Sequence, residues 1–163
     1  EDNTLFGELH ANNCDDCQFL NNWINFGINQ DNNEYGRGIY ARSSENIILS
    51  NNDLTAYNTP IDIDGSFNAI VTDNSIKGMI RNHGINMPST ENSIINNNHI
   101  ERTTRCTNCN QYSFLLNAEY SNYSNITNNT ILVIVDILSI LNINWFTICC
   151  NSIFRIIRSV SYY

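Results

Sequence analysis

The sequence predicts an all-β fold, a right-handed, single-stranded parallel β-helix of about six coils with an asparagine ladder. Three observations predict it. Asparagine supplies 31 of the 163 residues, and many of these fall at fixed places. One short pattern (apolar, two residues, Asn, one residue, apolar) occurs six times. Counting back from the Asn of each copy meets an apolar residue at thirteen positions and again at eleven.

The first copy is Phe19-Leu20-Asn21-Asn22-Trp23-Ile24, and the others centre on Asn52, Asn74, Asn98, Asn129 and Asn151. The six anchors, Asn22 to Asn151, are spaced by 30, 22, 24, 31 and 22 residues. Thirteen residues before them stand Leu9, Ile39, Ile61, Ile85, Leu116 and Leu138, and eleven before stand Ala11, Ala41, Ile63, Met87, Ala118 and Ile140. All twelve are apolar in a chain that is 42% hydrophobic, which predicts about five by chance. Alternation with a period of two is that of a strand with one buried face. Each coil therefore reads as strand, turn, strand, Asn corner, strand and a variable loop. One coil cannot bury its own apolar face, so coils stack at the strand spacing of ~4.8 Å. Asn suits a corner because it tolerates the left-handed conformation, and stacked amides can hydrogen-bond along the pile.

Residues 1–163 read as one β-helix domain. Two junctions are long, 25–38 and 101–115, and both follow the third strand of a coil. They are expected on the same side, where they could wall a groove. Residues 132–163 lose Asn and gain aliphatics, as in a terminal cap, an interface for homo-oligomers or the broken end of a longer stack. A net charge of −8 and a pI near 4.6 exclude the basic stripe that nucleic-acid binding needs. The longest apolar run, 131–141, is broken by Asp136 and falls short of the ~20 residues that span a bilayer.

The segments Gly36-Arg37-Gly38-Ile39 and His83-Gly84-Ile85, each followed by a Ser-bearing turn and Asn-Asn-x-Leu/Ile, resemble the repeats of the pectin-lyase-like superfamily. The likeness covers about residues 5 to 155. It implies the β-helix fold, an extracellular or surface location and a polysaccharide or glycan partner. It leaves activity open, since that superfamily holds lyases, hydrolases, epimerases and non-catalytic surface proteins. Asn58-Thr59-Pro60-Ile61-Asp62-Ile63-Asp64 and Asn82-His83-Gly84-Ile85 loosely resemble two polygalacturonase segments. Pro60 stands where the first acid would be, and no Arg-Ile-Lys follows.

Residues between the buried positions should point outward. Twelve before the anchors these are His10, Tyr40, Asp62, Asn86, Asn117 and Ser139, and ten before, Asn12, Arg42, Asp64, Pro88, Glu119 and Leu141. Asp62 and Asp64 thus share one outer face, with Arg42 one coil below Asp64 and with Arg81 and His83 at the edge of the next coil. These five are the candidate catalytic residues. The two carboxylates could perform acid and base work on a glycosidic bond. They could bind Ca²⁺, with Arg as base or charge neutraliser. They could also form a solvated strand with an Arg–Asp pair. Tyr40, Asn86, Asn117 and Arg37 are the candidate ligand-binding residues, because aromatic and amide side chains suit sugar faces and hydroxyls. Beyond that Ca²⁺ option no cofactor or metal is expected.

Cys14-x-x-Cys17 and Cys106-x-x-Cys109 have zinc-like spacing, but three or more coils, roughly 15 Å, separate them. A local disulfide or free thiols is the expectation for each pair. The function expected is a surface or secreted scaffold that binds carbohydrate or other surface ligands. The competing expectation is a polysaccharide lyase, hydrolase or epimerase acting at Asp62 and Asp64.

Overall fold

The computed structural model describes residues 4–25, 36–55, 58–78, 80, 82–103 and 115–133, together with the backbone of strands at 141–143, 147–149 and 152–155. A short strand, β1 (Thr4–Leu5), precedes the first coil, which comprises β2 (Leu9–Asn12), β3 (Gln18–Leu20) and β4 (Trp23–Asn25). The second coil is β5 (Arg37–Arg42), β6 (Ile48–Ser50) and β7 (Asp53–Thr55), and the third β8 (Thr59–Asp64), β9 (Ile70–Thr72) and β10 (Ser75–Gly78). The fourth is β11 (Ile85–Asn86), β12 (Ile94–Asn96) and β13 (His99–Arg102), and the fifth β14 (Leu116–Ala118), β15 (Asn125–Thr127) and β16 (Thr130–Val133). The sixth is β17 (Leu141–Ile143), β18 (Thr147–Cys149) and β19 (Ser152–Arg155). First strands pair with first strands in the order β2-β5-β8-β11-β14-β17, and the second and third strands do likewise. All of these pairings are parallel, so the fold is the parallel β-helix that the repeat predicts.

The core follows from the offsets. Ile39, Ile61, Ile85 and Leu116 stack on the first sheet, Leu49, Val71, Ile95 and Ile126 on the second, and Ile24, Leu54, Ile76, Ile100 and Ile131 on the third. All are almost fully buried, and each contributes about 1.5–3 kcal/mol by leaving water.

The corner beside them is a continuous amide ladder. Asn22 Nδ2 donates to Asn52 Oδ1 at 2.9 Å, Asn52 to Asn74 at 2.9 Å, Asn74 to Asn98 at 2.9 Å and Asn98 to Asn129 at 3.0 Å. Each receiving Oδ1 also accepts the backbone N–H of the preceding anchor. The second amide proton goes to a carbonyl one coil back: Asn52 to Phe19, Asn74 to Leu49, Asn98 to Val71 and Asn129 to Ile95. Two donors and two acceptor sites are all an amide has, so Asn52, Asn74 and Asn98 are fully satisfied although buried. Asn151 lies outside the described residues.

One expectation needs correcting. The anchors do not adopt the left-handed conformation; the residue before each one does. Asn21, Asn51, Asp73, Asn97 and Asn128 have φ of 53°, 54°, 56°, 53° and 53°. The Asn-Asn pairs divide two tasks, with the first residue turning the chain and the second building the ladder. Two more left-handed residues stand nine and six positions before each of the five described anchors, such as Ser43 and Asn46, or Gly65 and Asn68. In the fifth coil these places hold Tyr120 (φ 58°) and Tyr123 (φ 57°). Asn accepts that conformation readily, whereas most other side chains pay about 1–2 kcal/mol for it. Tyr123 is 82% exposed and gives little back by burial. Tyr123→Asn should therefore stabilise the protein by about 1 kcal/mol, read as a higher urea midpoint with an unchanged slope.

Directly after each of these left-handed residues the first turn points a side chain inward, eight and five before the anchor. Hydroxyls dominate there. Ser44 N–H donates to Ser66 Oγ, Thr90 N–H to Ser121 Oγ, Ala69 N–H to Ser93 Oγ and Ser93 N–H to Ser124 Oγ. Cys14 and Cys17 fill the same two places in the first coil and form a disulfide, with Cα atoms 5.9 Å apart. The turn itself brings the sulfurs together, as the local-disulfide option expects. Cys106 and Cys109 lie outside the described residues.

A second correction falls in the last coil. Leu141 and Ile143, rather than Leu138 and Ile140, pair with Leu116 and Ala118, and Asn142 takes the place expected for Ser139. Leu141, expected in the outward row, therefore takes the register place of Leu116. Leu138-Ser139-Ile140 and Leu141-Asn142-Ile143 carry the same alternation, and the turn before β18 is three residues shorter than in the coils below. Most of loops 25–38 and 101–115, with the groove expected between them, lies outside the described residues. Part of the segment 132–163 continues all three sheets as a sixth coil.

Candidate functional site

The outward face of the first-strand sheet carries the candidate residues. Strand alternation turns Ile61 and Ile63 inward and Asp62 and Asp64 outward, and register then sets His10, Tyr40, Asp62, Asn86 and Asn117 in one row across five coils. Asp62 is its centre. Its Oδ2 meets Arg37 Nε at 2.7 Å, and its Oδ1 accepts Asn86 Nδ2 at 2.7 Å. Asn117 Nδ2 in turn donates to Asn86 Oδ1 at 2.7 Å. Although it points outward, Asp62 is only 6% exposed. It is a covered carboxylate with both oxygens engaged, which differs from the solvated strand that was one of the three expectations.

Arg37 belongs to two contacts. Its guanidinium lies 4.2 Å from the Tyr40 ring centroid, a cation–π geometry, while its Nε reaches across one coil to Asp62. Tyr40 also meets the His10 ring edge-on, with centroids 5.5 Å apart. His10 Nε2 lies 2.5 Å from Glu8 Oε2, and Glu8 Oε1 accepts the Arg37 backbone N–H at 2.9 Å. Glu8, Arg37, His10, Tyr40, Asp62, Asn86 and Asn117 are thus one hydrogen-bonded and stacked array. Its rotamers are set by neighbouring coils before any ligand arrives.

Arg42 and Asp64 are paired in register as expected. Their contact is loose, Arg42 Nε to Asp64 Oδ2 at 3.6 Å, with side chains 62% and 41% exposed. A surface pair of this kind contributes about 0–1 kcal/mol. Beside it opens a depression of about 370 Å³ lined by Asn12, Asn13, Tyr40, Arg42 and Ser43.

His83 is half-buried and precedes β11. It stands fifteen residues before its anchor, the place that Arg37 holds in the second coil and buried Thr59 in the third. It lies at the edge of the Asp62 row, not within it. Arg81 lies outside the described residues. Glu8 was not legible as a site residue, because it stands where Gly38, Pro60 and Gly84 stand in later coils. The Arg37–Asp62 pair was missed because its offsets, fifteen and twelve, differ by three. Only the diagonal between adjacent coils would have shown it. Among the described residues no group of three or more His, Cys, Asp or Glu gathers around one point. No helix there is long and apolar enough to cross a membrane.

Comparison with protein-family models, curated proteins and solved structures finds no match.

Proposed function

We propose that this chain is a surface or secreted β-helix scaffold of the pectin-lyase-like kind that binds carbohydrate through the outward face of its first-strand sheet. The observation that carries the reading is the array around Tyr40. A ring fixed by Arg37 and His10 borders a depression whose other walls are amide, hydroxyl and guanidinium groups. Sugars present hydroxyls to such donors and acceptors and apolar faces to aromatic rings.

The enzyme reading keeps Asp64, the more exposed acid of the pair, as its reacting group beside Arg42. Asp62 supports it less, because acid and base work or Ca²⁺ ligation there must first displace Arg37 or Asn86. This is why binding ranks above lyase, hydrolase or epimerase chemistry.

The test is retention of the protein on immobilised pectate, alginate and polygalacturonate, with product assays run with and without Ca²⁺. Retention without new unsaturated or reducing ends is the expected result. Tyr40→Ala should weaken retention by about tenfold, the size of one lost anchor contact, with the far-UV spectrum preserved. New ends would transfer the assignment to the enzyme. Indifference to every glycan would remove the proposal.

A further inference from the structure

Among the described residues one charged side chain is both buried and short of partners. Arg102 ends β13, two residues beyond fully buried Ile100 and on the same side of the strand. It is only 4% exposed. Its Nε and Nη2 are buried and have no hydrogen-bond partner, and no carboxylate among the described residues pairs with it. Burial lowers its pKa from the ordinary arginine range, yet a guanidinium does not give up its proton in a protein. The positive charge is therefore buried, with no counter-charge among the described residues.

The sequence next to the strands of this corner is poor in acids. Residues 79–84 and 103–115 contain no Asp or Glu, and Asp136, the first acid after Val133, lies outside the described residues. In the ladder Arg102 lies between Gly78 and Val133. The residue below it therefore has no side chain, and the residue above it no polar group. The two orphan nitrogens form one edge of the guanidinium, where two N–H groups point the same way. That edge is built for two oxygens of one anion.

We infer that the Arg102 corner is a binding site for a small two-oxygen anion, an inorganic oxyanion or a compact carboxylate. The site is independent of the outward face, on another sheet, and stands or falls apart from carbohydrate binding. The anion supplies the counter-charge that the described residues do not, and pins the end of β13 where the chain leaves the third sheet.

Thermal melts of the purified chain test this, in sodium chloride against sodium sulfate, phosphate or acetate at constant ionic strength. Sulfate and phosphate also favour compact states in general, so the readout is the difference between wild type and Arg102→Met. The expected result is a saturable rise for the wild type, about 5 °C or more at one hundred times the dissociation constant, and no such excess in the variant. Phosphate or sulfate acting without acetate identifies an inorganic oxyanion, whereas acetate acting alone identifies a carboxylate. Arg102→Lys keeps the charge without the paired donors and should need roughly tenfold more anion, which preserves the test if the methionine variant does not fold. Equal anion responses in wild type and variants, or none, would overturn the inference.

Discussion

Asn74→Ala should lower the melting temperature by about 10 °C. The amide of Asn74 accepts both the backbone and side-chain N–H of Asn52 and donates to Asn98 and to the Leu49 carbonyl. Removal leaves two donors on Asn52 and the Leu49 oxygen without those partners in a place that water does not reach. Each orphaned buried group costs about 1–3 kcal/mol, and a total of ~4 kcal/mol corresponds to that shift for a chain of this size. Asn74→Asp should be at least as damaging at neutral pH. Its second oxygen would face the Asn98 oxygen and the Leu49 carbonyl, so two acceptors would meet acceptors, with a charge added. The comparison that isolates the ladder is Asn68→Gly. Asn68 donates an exposed hydrogen bond to Asn46 and has φ of 54°, a conformation that Gly accepts freely. Its loss should move stability by about 0.5 kcal/mol at most. The same residue type thus carries an eightfold difference in consequence, decided by burial.

The second large effect falls on a glycine. A Cβ on Gly84 would stand 2.6 Å from the Leu115 carbonyl oxygen and 2.6 Å from Ile100 Cγ2. Leu115 cannot easily retreat, because its carbonyl accepts the N–H groups of both Gly84 and Ile85, at 3.0 and 2.9 Å. Gly84→Ala should therefore cost about 3 kcal/mol, at the upper end of overpacking, and Gly84→Val more. Gly38 holds the same place two coils earlier, where a Cβ would meet the Pro60 carbonyl oxygen at 2.7 Å and Leu54 Cδ2 at 2.8 Å. Gly38→Ala should behave alike. Urea unfolding of both variants checks this, and a loss below about 1 kcal/mol at either position would mean that the coils have room to separate.

The repeat was legible because the physics of stacking acts on fixed offsets. Most buried positions are apolar or part of a ladder, with Arg102 an exception, so the rows of Ile39, Ile61 and Ile85 and the five described anchors could be read directly. The division of labour within Asn51-Asn52 could not, because two adjacent asparagines look identical before one of them is buried. Nor could the register of the last coil, where Leu138, Ile140, Leu141 and Ile143 offer two equivalent frames three residues apart. The candidate site was half legible. Alternation placed Asp62, Asp64 and Arg42 correctly on one face. Pairing across a diagonal hid the partner of Asp62, which is Arg37. Arg102 was invisible as a buried residue, because it stands four residues after its anchor, where a strand gives way to a loop.

Contacts between side-chain amides measured by solution NMR reach the centre of the account. In slowly exchanging samples, the Nδ2 protons of Asn22 should show cross-peaks to Asn52, those of Asn52 to Asn74, those of Asn74 to Asn98 and those of Asn98 to Asn129. The result is then an unbroken chain of residues 22 to 31 positions apart in sequence. Amides that exchange with water within seconds and touch only their own coil would contradict it.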